Sequence, residues 1–496
     1  MSRRFSAPTA LSLPLAVLVG GLSLAGCTSA PKTSAPKPTV AASSPVASAS
    51  APAGDYAAWQ GGKSSPVVDP LYPRYGNADV DVLHYGLDLT WAPDSKTLTG
   101  QATIQLRAAA ALTSIALDFS AAYTIESTTV DGAASTGTVV DGKLTVPATV
   151  ARDANATLVV KYRGTPKTVP MPSHRGDAEP LGLTVTADGG LWTMQEPYGS
   201  ATWYPSNDQP SDKALYDIAI TVPAGWAGVA SGTPKGQDGN TYRYTSTDPV
   251  ASYLTTLAVG RYKQETVTGP HGLPISYWYR PGVDDAMMKL VRKSPDRIAW
   301  LEQRFGPYPF PTAGVVLVPS VSAMETQQMV TLGDKLLAGG GRAETVDGAV
   351  LHEYAHQWFG DTVTPSQWKD LWLNEGWATY AEALYTNERD NVSASRWEQW
   401  ARQTDARLRS TLGPPGSPKA DSFAENNVYF CPALMLHQLH KQLGDDAFFA
   451  LGRAWAQQHK GSTQDRTGFI AFVNQHTGKD FTSLINTWLD SPTTPR

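Results

Sequence analysis

The sequence predicts an α+β protein in two parts. An antiparallel β-sandwich or saddle-like sheet domain occupies residues 55–264, and a mainly helical domain follows over residues 265–496. Three observations carry this. Apolar side chains recur with period two from about Tyr56 to Tyr262. Helical period replaces it after "ISYWYRPG" at residues 275–282. A chain of 496 residues that is 41% hydrophobic also has apolar material for two or three packed domains. The formal net charge of -5, with Lys and Arg scattered along the chain, gives no basic field to gather phosphates, which excludes nucleic acid as a partner.

Residues 1–54 stand outside the fold. Arg3 and Arg4 precede an apolar run at residues 10–24 that is too short to span a bilayer, so residues 1–26 have the plan of a signal peptide. The run ends in "LAGC", Leu24 to Cys27, which resembles the bacterial lipobox and implies lipidation of Cys27; a secretory signal followed by a chance cysteine is the alternative. Residues 28–54 are mostly Ala, Ser, Pro and Thr with two lysines and no aromatic, too apolar-poor to offset the cost of ordering. Residues 27–54 are therefore expected to tether an extracytoplasmic protein to the membrane through Cys27. With Cys27 used in this way, Cys431 has no partner for a disulfide.

In the first domain Tyr85, Leu87, Leu89 and Trp91 alternate with small or polar residues. Ala102, Ile104 and Leu106 do the same, as do Tyr216, Ile218, Ile220 and Val222. Pro223-Ala224-Gly225 and Asp238-Gly239-Asn240 are turn signals between such runs. In the second domain Ile298, Leu301 and Phe305 share one helical face, and Val346, Val350, Tyr354 and Trp358 share another. Leu436, Leu439 and Leu443 share a third, which stops at Gly444. The apolar run "GVVLVP" at 314–319 predicts a strand bordering these helices.

The chemistry is concentrated in "VLHEYAHQWFGD", residues 350–361. A spacing of four on a helix puts His352 and His356 on one face, about 6 Å apart along the axis, which suits two imidazoles converging on one cation. Glu353 lies about 100° round the helix, away from the ligand set but able to act as general base toward water. The same spacing occurs on ordinary helix faces, so a third ligand is required. Glu375 follows His356 by 19 positions and opens the helical pattern "LWLNEGWATYAEALY"; the intervening Gly-Asp and Thr-Pro allow the chain to turn back.

HEYAH, eighteen residues, then Glu within N-E-G-W-A resembles the gluzincin metallopeptidases, most closely the aminopeptidase N and leukotriene hydrolase family. The resemblance extends over most of residues 80–490, from "DVLHYGLDLTW" through "FGPYPFP" to the terminal helices. It implies a thermolysin-like catalytic domain, one zinc ion held by His352, His356 and Glu375, and removal of the N-terminal residue from peptides with a free N-terminus. "SAMETQQ" resembles the family's G-x-M-E-N loop, which makes Glu325 the ligand of the substrate amine with Ala323 and Met324 beside it; Ser322 and Thr326 depart from the pattern. "MQEPYGSATWYPSNDQP" resembles the segment that supplies a second amine-binding carboxylate, here Glu196 with Gln195 adjacent. "NNVYFCPALMLHQLH" resembles the stretch whose tyrosine donates to the oxyanion, here Tyr429, ahead of a helix expected to begin at Pro432. Larger members continue with further helical domains, whereas this chain stops about 120 residues past Glu375, so a more open cleft is expected. The altered loop also allows a second expectation, a surface lipoprotein that keeps the zinc fold to bind peptides without cleaving them.

Overall fold

The computed structural model describes residues 56–338 and 341–496. The signal peptide, Cys27 and the tether lie outside the described residues, among which no helix is long and apolar enough to cross a membrane.

The β half is built on an eight-stranded sheet whose centre is Val80–Ala92, flanked by Thr97–Ala108 on one side and Lys213–Thr221 on the other. Its pleat follows the sequence: Leu87, Leu89 and Trp91 are buried while Asp88, Thr90 and Ala92 are exposed. A four-stranded and a three-stranded sheet pack with it around one core. Gly239-Asn240 joins Thr233–Asp238 to Thr241–Ala251 as a two-residue hairpin, with Gly239 at φ 56°. The sheet departs from the expected antiparallel order at one place, because Val80–Ala92 runs parallel to Lys213–Thr221. More than a hundred residues separate these strands, and the long return through the other sheets brings the second one in from the same end.

The helical half holds a five-stranded sheet, ordered Lys263–Thr268, Pro274–Tyr279, Ala313–Val318, Val330–Gly333, Ala323–Met324. Its helices are α1 (Asp285–Val291), α2 (Ser294–Phe305), α3 (Ala343–His356), α4 (Trp372–Arg389), α5 (Ala394–Leu412), α6 (Asn427–Leu443), α7 (Asp445–Gln458), α8 (Arg466–Thr477) and α9 (Thr482–Asp490). α3, α4 and α6 form the centre. Trp377 of α4 stacks on Phe359 at 4.5 Å and on Phe448 at 5.3 Å between ring centroids, burial that stabilises by about 3–5 kcal/mol on the scale of Trp→Ala changes. α2 is fastened to α3 by a buried ion pair, Arg297 with Asp347, and the other Asp347 oxygen accepts from Arg389 Nη1 at 2.8 Å and from the Tyr385 hydroxyl at 3.1 Å.

The expected start of α6 at Pro432 is not what forms. The helix begins at Asn427, with the Tyr429 and Phe430 N–H groups reaching back to the Asn426 carbonyl at 3.3 and 3.1 Å. Tyr429 thus sits in the first turn. Pro432 lies inside the helix, where its ring fills the space over Gly376 of α4; a Cβ at Gly376 would come within 2.8 Å of it.

Polar contacts stitch the halves together. Lys213 of the β half is buried and donates to the Asp361 carbonyl at 2.7 Å, and Asp69 accepts from the Trp368 N–H at 2.6 Å. The segment before Gly182–Val185 reaches across to both rims of the cleft: Phe423 N–H donates to Pro172 O at 2.7 Å, and Glu179 accepts from Ser320 Oγ at 2.8 Å.

Candidate active site

α3 carries His352, Glu353 and His356 in its last turns, and α4 brings Glu375 against them from its first turn. His352 Nε2 and His356 Nε2 lie 3.1 Å apart, and both face Glu375 Oε2, at 3.1 and 3.4 Å. The outer nitrogens face acceptors. His356 Nδ1 is 3.0 Å from the Phe359 carbonyl, and His352 Nδ1 is 3.3 Å from Glu382 Oε2. A proton on each Nδ1 leaves the two Nε2 lone pairs and the carboxylate oxygen aimed at one point, a donor set of two nitrogens and one oxygen that fits a divalent cation. Gly360, at φ 136°, lets the chain leave α3 while staying close to the imidazole; a Cβ there would lie 3.2 Å from His356 Nδ1.

The site is a cavity of about 290 Å³ lined by His352, His356, Glu375 and Glu353 together with Met171, Arg175, Glu196, Glu325 and Tyr429. Carboxylates dominate it. Burial pushes Glu353 up to about 8, the two imidazoles opposing the rise and Glu325 adding to it. Burial also raises Glu325, against the pull of His356, and raises Glu196, with Glu325 next to it as a like charge. Glu375 goes the other way, since His356 and His352 outweigh its burial. Glu196, Glu325 and Glu375 each offer an oxygen within 4.8 Å of the other two. Glu196 Oε1 and Glu325 Oε1 are buried without a hydrogen-bond partner. Acceptors stripped of water in this way are costly unless a cation meets them.

Among the neighbouring residues expected to contact substrate, Ala323 and Met324 form a short strand edge at the cleft, and Glu325 follows them. Gln195 turns away from it. Its amide nitrogen lies 2.8 Å from the Ser252 and Thr255 carbonyls and its oxygen accepts from Trp203 Nε1 at 2.9 Å, so the side chain is committed to the β half and does not line the cleft. Cys431 is buried and its thiol is pushed up by burial, as fits a small apolar residue. His437 and His440 are committed to Tyr380 of α4: both ring Nδ1 atoms approach its hydroxyl, at 3.1 and 2.7 Å.

Two cleft residues escaped the sequence. Glu382 carried a signal, since it follows Glu375 by seven and so shares its helix face. Arg175 carried none, being one cation in the Pro- and Gly-containing loop "PSHRGDAEP".

Comparison with known proteins identifies the two halves. Residues 82–254 match the Peptidase M1 N-terminal domain and residues 291–488 match the Peptidase family M1 domain. Aminopeptidase N of Streptomyces lividans is 29% identical over 332 residues, 61% of this chain and 38% of its own length. Aminopeptidase 2 of Candida albicans is 25% identical over 447 residues, 83% of this chain and 47% of its own. The chain therefore spans less than half the length of these two relatives. Aminopeptidase N of Acetobacter pasteurianus, 29% identical, is covered to 88%, with 60% of this chain aligned. An M1 zinc metallopeptidase from Deinococcus radiodurans has the same fold, with a TM-score of 0.74 and 28% identity over 87% of this chain and 98% of its own. A mutant of that enzyme bound to a Tyr-Ser-Ala substrate gives a TM-score of 0.76 at 27% identity, over 87% of this chain and 99% of its own. Two family domains in the expected order, on a fold shared along nearly the full length of a two-domain metallopeptidase, show that the chain belongs to peptidase family M1.

Proposed function

We propose that the protein is a zinc-dependent aminopeptidase that hydrolyses the N-terminal residue from peptides. One observation carries this: a three-donor metal set and two carboxylates, each with one oxygen buried without a hydrogen-bond partner, share a cleft and meet at Glu375. A free ammonium bound between Glu325 and Glu196 would lie beside Glu375 of the metal set, which would select the first peptide bond. An internal peptide segment would leave both carboxylates buried without a counter-charge.

His352, His356 and Glu375 would hold the zinc, one per chain. Zinc supplies Lewis acidity toward a carbonyl and lowers the pKa of water toward about 7. Glu353 takes the proton of the attacking water and returns it to the leaving amine. The Tyr429 hydroxyl donates a hydrogen bond to the oxygen on which negative charge develops. Ala323 and Met324 line the path of the substrate backbone. The LAGC sequence supports a lipid anchor at Cys27 and an extracytoplasmic location on the bacterial membrane, and Cys27→Ser should release the protein from the membrane fraction.

The test is hydrolysis of leucyl-anilide by wild type, by Glu353→Ala and by wild type treated with a chelator. Loss of turnover in both treatments, and inertness of the N-acetylated substrate, is the expected outcome. Equal rates in wild type and Glu353→Ala remove the general base, and cleavage of the acetylated substrate makes the enzyme an endopeptidase.

A further inference from the structure

Arg175 belongs to the β half yet reaches the catalytic tyrosine. Its Nη1 donates to the Tyr429 hydroxyl oxygen at 2.8 Å and to the Ala424 carbonyl at 3.0 Å. Nε and Nη2 grip the Asp177 carboxylate at 2.9 and 2.6 Å. Four of the five N–H groups are thereby used, which leaves too little of the fork to receive a substrate carboxylate in the usual two-pronged way. The guanidinium also lies against the tyrosine ring, 5.1 Å from its centroid, and that ring stacks on His352 at 6.0 Å.

A guanidinium can only donate, so the Tyr429 hydroxyl must accept from it and keep its own proton for another acceptor. Among the described residues none receives it. The loop that carries Arg175 is held firmly. Glu425 accepts from His174 N–H at 3.0 Å on one rim of the cleft, and Glu179 accepts from Val321 N–H at 3.1 Å on the other. A donor fixed on one lone pair of a phenol restricts where its O–H can point and polarises that bond, making it a stronger donor.

Building on the aminopeptidase function above, we propose that Arg175 is a positioning residue: it holds the Tyr429 hydroxyl from behind so that the phenol proton is presented to the oxyanion of the scissile carbonyl. Arg175 touches no reacting atom and acts through Tyr429 alone. The loop at residues 171–181 therefore contributes to turnover as well as to joining the halves.

The test is a double-mutant cycle in the full chain loaded with zinc. It compares wild type, Arg175→Met, Tyr429→Phe and the pair on leucyl-anilide, with Arg175→Lys as the conservative variant and thermal melting to confirm folding. Arg175→Met should lower kcat by about 10-fold to 10²-fold with KM little changed, a smaller loss than the 10²-fold to 10³-fold typical of removing an oxyanion donor itself. In the Tyr429→Phe background it should cost nothing further, and Arg175→Lys should recover part of the loss. A second readout needs no turnover: calorimetry with leucine phosphonic acid, a tetrahedral anion bearing a free amine, against leucinamide. Arg175→Met and Tyr429→Phe should both weaken the phosphonic acid alone, Arg175→Met by the smaller factor. Equal losses in both tyrosine backgrounds, a loss confined to KM, or equal weakening of both ligands would make Arg175 a structural tie and overturn the proposal. If wild type turns over no peptide while the calorimetric pattern holds, the aminopeptidase function fails and the placement of Arg175 stands.

Discussion

Replacing Asp347 by alanine tests what holds α3 in place. Asp347 lies five residues before His352 on α3 and is 3% exposed, and its partner Arg297 on α2 is fully buried. Without the carboxylate, Arg297 keeps only the Leu290 carbonyl, 2.7 Å from Nη1, and its Nε already has no partner. Arg389 loses less, because its Nε and Nη2 remain 2.8 Å from Asp390. The dominant cost is one uncompensated charge in the interior, about 3–5 kcal/mol for a broken buried pair. A helical half of this size melts about 2–4 °C lower per kcal/mol, so Asp347→Ala should lower its transition by about 6–20 °C. Circular dichroism in urea and on heating reads both quantities. Changing the two partners together, Arg297→Met with Asp347→Leu, removes the charges without stranding either, and should return stability to within about 1 kcal/mol of wild type or above it. A loss below about 1 kcal/mol in the single variant, or an equal loss in the double one, would refute the view that the pair is a buried, mutually dependent tie.

Two further outcomes follow from the site and its surroundings. Glu325→Gln keeps the shape of the proposed amine pocket and removes one charge; leucyl-anilide should lose about 30-fold to 10³-fold in kcat/KM, chiefly through KM, while leucine phosphonic acid, which shares the amine, weakens in parallel. The His437–Tyr380–His440 cluster predicts a pH effect on stability. Burial holds both imidazoles below their usual value, against Glu398 facing His437 and Asp445 facing His440, with Lys441 opposing a charge on His437. The unfolded chain then takes up protons that the folded one refuses, so stability is present above about pH 6.5 and is lost as pH falls through the lower folded-state values. Melting curves between about pH 7 and pH 5 should show a shallower decline in His440→Gln than in wild type.

The parts of this molecule legible in its sequence are those set by spacing along one chain segment. Leu87, Leu89 and Trp91 announce a half-buried strand because the pleat alternates, and His352 and His356 announce a shared face because the helix repeats. Pairing between distant segments leaves no such trace. Nothing in Val80–Ala92 or Lys213–Thr221 says that they run parallel, since either direction buries the same alternate side chains. Gln195 and Glu196 are adjacent just past the strand Leu191–Met194, outside the pleat, and no period in the sequence tells that one is buried in the β core while the other lines the cleft. Pro432 looked like a helix start because proline is favoured in a first turn, but the close approach of α4 at Gly376 gives its ring a place inside α6. Arg175 meets Tyr429 across 254 positions of chain, a contact made only once both halves are folded.

That contact bears on how such proteins can be recombined. The three groups suited to zinc, with Glu353, travel together on α3 and α4 and would survive a swap of the β half for a relative's. Glu196 and Arg175 would be exchanged for whatever the donor carries at those places. A chimera should inherit water activation from one parent while its appetite for free amino termini, and the aim of its phenol, depend on both.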